Sequence, residues 1–247
     1  MVLAAEAAAR ELRCRVQGVS FPRSGHNLLR HFLQRYFGDT FHYCFYYPTC
    51  RSRPCSAPTN HFQKNHDFDL KLPVGESAHH VIQVRHPLYS IPSHYEFELV
   101  EGENGRQPTI PEDSAEAWRT YAEGQIQHWR AWVRKWLLSG PIPGALVLVY
   151  EDVVRDPVGR LGEAARFFAP SAPLDPGAVA KVVRSFNVRP RRSLPRFRHY
   201  DAEFFRGLES VAREELEALG YGPACFEEAP PPRLVERRGE AAGAALA

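Results

Sequence analysis

The sequence contains no apolar run approaching the roughly 20 residues that a membrane-spanning helix needs. The stretch from Met1 to Arg13 is rich in Ala, Glu and Arg and lacks the apolar centre of a secretory signal. Charge of one sign is also missing: 31 Lys and Arg against 29 Asp and Glu leave a formal +2. That balance excludes a global pull toward nucleic acid or an anionic bilayer, so an anion site must be a local cluster. The five cysteines include no C-x-x-C pair, and Cys44, Cys50 and Cys55 beside His42 follow the loose spacings C-x5-C and C-x4-C. A zinc site is therefore disfavoured, and no metal is assigned. No internal repeat occurs. These absences lead us to expect a cytoplasmic chain without a membrane span or nucleic-acid partner, its thiols reduced.

What is present fits one buried core. At 247 residues, 44% hydrophobic and 24% charged, the chain has the make-up of a globular α/β domain. Arg13 to Val19 reads as a first strand, and Ser24 to Phe37 as a helix with Leu28, Leu29, Phe32, Leu33, Tyr36 and Phe37 on one face. Thr40 to Pro58 is aromatic and proline-punctuated and reads as irregular. Strands are expected at His61–Asn65, His80–Val84 and Ala145–Tyr150, and helices at Leu88–Leu99 and Ser114–Leu138, with a loop at Gly105–Pro111. The tryptophans of the longer helix suit a core better than a ligand cage. Asp156-Pro157 and Asp175-Pro176 each place an N-cap acid before a proline, the start of a helix. A basic loop from Asn187 to His199 precedes a last amphipathic helix carrying Phe205, Leu208, Ala212, Leu216 and Leu219, which stops at Gly220. Residues 1–12 read as an extension, 13–222 as the domain, and 223–247 as a tail expected to be disordered.

The strongest local signal is the loop between the first strand and the first helix, Gly18 to Leu29. Unpaired N–H groups and the positive end of a helix dipole cradle an anion there. Gly25 permits close backbone approach, Arg23 adds a fixed charge, and Ser24, His26 and Asn27 add side-chain donors. The Walker pattern G-x-x-x-x-G-K-[ST] is absent, which disfavours an ordinary ATPase or GTPase. Farther along, Lys64 and His66 alternate onto one face at a strand end, where a histidine suits proton abstraction near neutral pH. Arg85 leaves another strand end, with Ser93 about two helical turns later. Read alone, Arg85 also fits an ordinary surface ion pair.

In this order the segments resemble the PAPS-dependent sulfotransferases of the cytosolic and bacterial type. Phe21-Pro-Arg-Ser-Gly-His-Asn-Leu-Leu29 is similar to that family's 5′-phosphosulfate loop, with Arg23 for the commoner Lys and His26-Asn27 for two threonines. Val81-Ile-Gln-Val-Arg85, followed by Ser93, resembles the 3′-phosphate segment. Phe62-Gln-Lys-Asn-His66 resembles the Lys-Thr-His strand end. Leu148-Val-Tyr-Glu-Asp152 looks like the Tyr-Glu-Asp strand end, where Tyr150 either approaches the adenine or caps a core strand. Arg189 to Tyr200 resembles the late Arg-Lys-Gly loop, with Ser193 for the usual glycine. That places Arg191 or Arg192 on the 3′-phosphate; the same arginines also fit a polyanion-facing patch or a solvated loop.

The resemblance implies a three-layer α/β/α fold with a mainly parallel sheet and a P-loop-like phosphosulfate-binding loop. It implies PAPS (3′-phosphoadenosine 5′-phosphosulfate) as sulfuryl donor, His66 as base, Lys64 on the leaving group, and a hydroxyl acceptor such as a carbohydrate. The competing readings are a nucleotide-dependent kinase with a degenerate P-loop and a non-catalytic module that binds nucleotide or sulfated glycan. The first lacks Gly-Lys-Ser/Thr; retention of Lys64 and His66 counts against the second.

Overall fold

The computed structural model describes residues 12–46, 50–75, 77–100, 110–186, 188, 192–224 and 226. Its frame is a parallel sheet of β1 (Val16–Ser20), β2 (Tyr43–Phe45), β3 (Phe62–Asn65), β4 (His80–Val84) and β5 (Ala145–Val149), in the order β2-β3-β1-β4-β5. All the pairings are parallel, with β1 between β3 and β4. Strands covered on both faces need apolar residues of both parities, and β1 and β4 are buried throughout.

Side-chain alternation sorts those residues into a core on each face. Val16, Phe62, Val81, Leu146 and Leu148 meet Leu29, Phe32 and Leu33 of α1 (His26–Phe37), together with residues of α5 (Pro157–Phe168) and α6 (Pro176–Arg184). Val19, Ile82 and Val84 meet α2 (Pro87–Val100), α3 (Ala115–Val133), α7 (Ala202–Val211) and α8 (Arg213–Ala218). Between β5 and α5 lies a short helix, α4 (Tyr150–Arg155). The result is the expected α/β/α stack with helices on both faces. Trp118, Trp129, Trp132 and Trp136 are all fully buried, so α3 and its π-helical extension (Arg134–Leu138) hold core tryptophans, as expected. Each such ring contributes roughly 1.5–3 kcal/mol by leaving water.

The departures from expectation have local causes. β1 starts at Val16, not Arg13, because Arg15 adopts φ 57°, which no strand continues. α1 starts at His26, not Ser24, because Gly25 sits at φ 90°. The segment expected to be irregular contains β2, a three-residue edge strand too short to show a period. Tyr150 opens α4 instead of ending β5. The last helix divides at Ala212 into α7 and α8. Most of the Gly105–Pro111 loop and of the 223–247 tail lies outside the described residues.

Candidate active site

From β1 the chain runs through α1 to the β2 side of the sheet; from β4 it runs through α2 and α3 to β5. Neighbouring strands β1 and β4 thus send their connections in opposite directions. A crevice opens at the carboxyl ends of such strands. Four of the segments singled out in the sequence end there: the loop after β1, Lys64 and His66 at β3, Arg85 at β4, and Tyr150 after β5.

The loop after β1 bends sharply. Arg23 at φ 63° and Gly25 at φ 90° are both left-handed, alternating with Ser24. A Cβ on Gly25 would stand 2.6 Å from Cδ2 of Tyr150, so the loop and that ring touch as only glycine permits. α1 begins without a side-chain cap and without an acid in its first turn. The amides of its first turn therefore keep their donors for an outside anion. Ser24 is buried, its Oγ without a hydrogen-bond partner among the described residues. A phosphate or sulfate group fits both features. Asn27 is exposed on the first turn. His26 turns the other way: its ring stacks on Phe62 at 4.9 Å, and Nε2 lies 3.2 Å from the Tyr43 hydroxyl. Gly18 leaves room for that stack, since a Cβ there would come within 2.8 Å of the His26 ring. Burial, then Lys64, His66 and Arg30 in turn, hold His26 well below the usual histidine range, against a hydrogen bond with Gln83 that raises it. Its ring packs as a core group, and its backbone N–H stands among the first-turn amides of α1.

His66 follows β3 with Nδ1 2.6 Å from the carbonyl oxygen of Ser20 and 3.2 Å from the Ser20 hydroxyl. A carbonyl only accepts, so Nδ1 carries the proton and Nε2 is the basic nitrogen. The turn after it is pinned by Asp67, which takes Lys135 Nζ at 2.6 Å, Trp136 Nε1 at 2.8 Å and the amide of Leu72 at 2.7 Å. Lys64 pairs in register with Gly18 of β1 and Phe45 of β2. Its Nζ lies 4.3 Å from the centre of the Phe45 ring.

Arg85, Arg23 and Ser93 converge. Arg85 Nη1 donates to the Arg23 carbonyl at 3.2 Å, and Arg23 Nε donates to Ser93 Oγ at 3.2 Å. The Arg23 guanidinium also lies over Phe97 at 5.0 Å. Sequence reasoning placed Arg23 with the loop and Ser93 with Arg85; the fold puts all three in one cluster. Tyr150 lies under the Arg85 guanidinium at 4.5 Å and against Gly25, so it braces both. In the late loop Arg192 pairs with Glu96 of α2 and lies over Phe197 at 4.4 Å. Arg191 lies outside the described residues.

No family profile and no curated protein matches the sequence. Solved structures match its fold. A mouse sulfotransferase, SULT7A1, complexed with PAP superposes with a TM-score of 0.61 at 16% identity, over 86% of this chain and 88% of that one. Retinol dehydratase in complex with retinol and PAP gives 0.55 at 15% identity, over 87% and 85%. The fold is that of the sulfotransferases. Retinol dehydratase with androsterone and inactive cofactor PAP matches similarly, with a TM-score of 0.54 at 14% identity over 87% and 85% of the two chains.

Within this sulfotransferase fold several groups around the crevice escaped the sequence reading. Ser20 orients His66, yet as one residue past an apolar run it carried no signal beyond its place at a strand end. Trp129 Nε1 donates to the Arg85 carbonyl at 3.2 Å across 44 residues. Beyond Phe21, His128 lies 6.0 Å from that ring, and burial, then the nearby His94, lower it while Asp67 pulls it up. His94 has Nδ1 2.6 Å from the Tyr121 hydroxyl and Nε2 3.4 Å from Glu98. His94 and Glu98 share one face of α2 at i and i+4, and the packing of α2 on α3 brings Tyr121 to them.

Proposed function

We propose that the chain is a sulfotransferase that moves the sulfuryl group of PAPS to an acceptor hydroxyl. The observation that carries this reading is the link from His66 to Ser20, the last residue of β1. It sets a base with a defined tautomer directly behind the anion loop.

The first-turn amides of α1 with Ser24 would hold the 5′-phosphosulfate, and Arg85, Ser93 and Arg23 the 3′-phosphate. Arg192, and Arg191 beside it, are proposed to close over the same phosphate, with Tyr150 bracing Arg85 near the adenine. His66 Nε2 takes the proton of the acceptor hydroxyl while its oxygen forms the new bond to sulfur. The bond from sulfur to the bridging oxygen of the 5′-phosphate breaks in line. Lys64 and the loop N–H groups stabilise the negative charge that collects on that oxygen, the role cations play in phosphoryl transfer. Positive charge from the protein serves this step, and no metal is assigned to it.

The acceptor is proposed to be a polar alcohol such as a carbohydrate, which suits the basic late loop and the aromatic strand around Tyr43. A cytoplasmic setting goes with this reading.

The test is transfer of label from 35S-labelled PAPS to a panel of hydroxyl acceptors, with adenosine 3′,5′-bisphosphate measured as co-product. One bisphosphate per sulfated product is expected. Bisphosphate binding without turnover on any acceptor would favour the binding-module reading, and phosphorylation from ATP with Mg²⁺ would favour the kinase.

A further inference from the structure

Three thiols that the proposed transfer does not use converge beside β2. The Sγ atoms of Cys44 on β2 and of Cys50 and Cys55 in the loop after it all lie within 4.8 Å of one another. All are free; Cys55 is buried and the other two half-buried. Thiolates around a tetrahedral cation at about 2.3 Å stand about 3.8 Å apart, so a contraction of about 1 Å at most closes the set. Among the described residues no histidine or carboxylate joins the sulfurs at that spacing.

A second feature points to a ligand. Gln63 is 1% exposed and held at both ends of its carboxamide. Its Oε1 accepts from the Cys55 amide at 3.0 Å and from Gln17 Nε2 at 2.9 Å. Its Nε2 donates to the Ser52 carbonyl at 2.9 Å and faces Cys50 Sγ at 3.5 Å and Cys44 Sγ at 3.8 Å. A buried N–H aimed at two sulfurs is the kind of outer-shell donor that orients ligands around bound metals. As thiolates, three sulfurs this close and away from bulk water need a cation to balance them.

We propose that Cys44, Cys50 and Cys55 form a structural site for one thiophilic d¹⁰ cation, zinc(II), with exchangeable water in the fourth position. The bound ion ties the 50–55 loop to β2. Phe45, the neighbour of Cys44, carries Lys64 on its ring, so occupancy steadies one wall of the crevice. The loose cysteine spacing hid the site, because the chain closes it through a loop and a strand edge instead of a compact knuckle.

The test uses the full chain, reduced, loaded with Zn(II) and freed of excess metal. Elemental analysis is expected to show one zinc per chain, released when a mercurial blocks the thiols. Cys44→Ser and Cys55→Ser should each abolish retention, and Cys14→Ser, at an exposed position, should leave it at one. A serine variant that unfolds would also lose metal, so the unmutated chain is titrated with Co(II). Thiolate-to-cobalt charge transfer in the near ultraviolet and strong visible d–d bands of tetrahedral Co(II) are expected. Gln63→Leu, folded by circular dichroism, should bind zinc roughly 10–100-fold more weakly. A folded unmutated chain that retains no zinc and shows only the pale spectrum of octahedral Co(II) overturns the proposal. Full zinc retention by folded Cys44→Ser and Cys55→Ser does the same.

Discussion

Arg85 Nη1 donates to the backbone carbonyl of Arg23 at 3.2 Å, tying the end of β4 to the loop after β1. The same loop residue sends its side chain to Ser93 on α2. One residue therefore joins the loop proposed for the 5′ group to the pair proposed for the 3′-phosphate. Arg85, Arg23 and Ser93 thus form one linked cluster, proposed to take the dianionic 3′-phosphate apart from the amides of α1. A charge-assisted hydrogen bond contributes roughly 1.5–3 kcal/mol, or about one to two decades of affinity. Calorimetry should show adenosine 3′,5′-bisphosphate bound far more tightly than AMP, with most of that preference lost in Arg85→Ala. Equal binding of the two nucleotides by the unmutated chain would remove the 3′-phosphate assignment.

For His66 the expectation is a loss of turnover without loss of nucleotide. His66→Ala should slow single-turnover transfer by roughly 10²–10⁴-fold, the usual contribution of a positioned proton acceptor. Affinity for the bisphosphate should hardly change, because other residues are proposed to hold the phosphates. His94 and His26 are poor substitutes: the first bonds Tyr121 and faces Glu98, and the second is buried against Phe62. A folded His66→Ala protein with normal turnover would show that another group takes the proton.

Gly25→Ala tests the loop. An L-residue held in the left-handed region costs roughly 1–2 kcal/mol, and here the new methyl also meets the Tyr150 ring. Urea unfolding should show at least that loss, and bisphosphate affinity should fall as Tyr150 is pushed from Arg85. Gly207→Ala, inside α7 with open space around it, should instead stabilise by roughly 0.5–1 kcal/mol. If both substitutions behave alike, the backbone at Gly25 is not constrained as described.

The depressed His26 sets the sign of a pH effect. Burial, followed by Lys64, His66 and Arg30, keeps it neutral in the folded chain below its ordinary value of 6.5. The unfolded chain takes up that proton first, so stability is complete above about 6.5 and falls as pH drops toward the lowered folded value. His61, His80 and His128 are lowered too, with burial the largest cause in each, and act in the same direction. Unfolding free energies measured from pH 7.5 down to 5.5 should decline, by about 1.4 kcal/mol per pH unit for each proton involved. His26→Phe should make the decline shallower; an unchanged slope would exonerate His26.

Much of the architecture was legible along the chain because its cause is local. β4 needs apolar residues on both faces, and Val81 on one and Ile82 and Val84 on the other supply them. Proline after aspartate opens α5 and α6, and in each the aspartate side chain accepts from the third amide beyond it. The anion loop announced itself through a strand, a glycine and a helix within twelve residues, all set by backbone conformation. β2 and α4 escaped because three and six residues are too few for periodicity to rise above composition.

The candidate site was legible only as separate segments. Sequence alone determined that a loop, a Lys-x-His pair and an arginine each stand at a strand end. It did not determine which way their side chains turn, because that depends on partners far along the chain. His26 turns inward because Phe62 and Tyr43 form its pocket. Arg23 reaches Ser93 because α2 lies across the loop, and Tyr150 is trapped because Gly25 leaves space for its ring. Cys44, Cys50 and Cys55 likewise meet because Gln63, on the neighbouring strand, holds their loop by its backbone. Spacing in sequence fixes which faces residues share within one element; distance between elements is decided by packing, where close contact selects one arrangement among many.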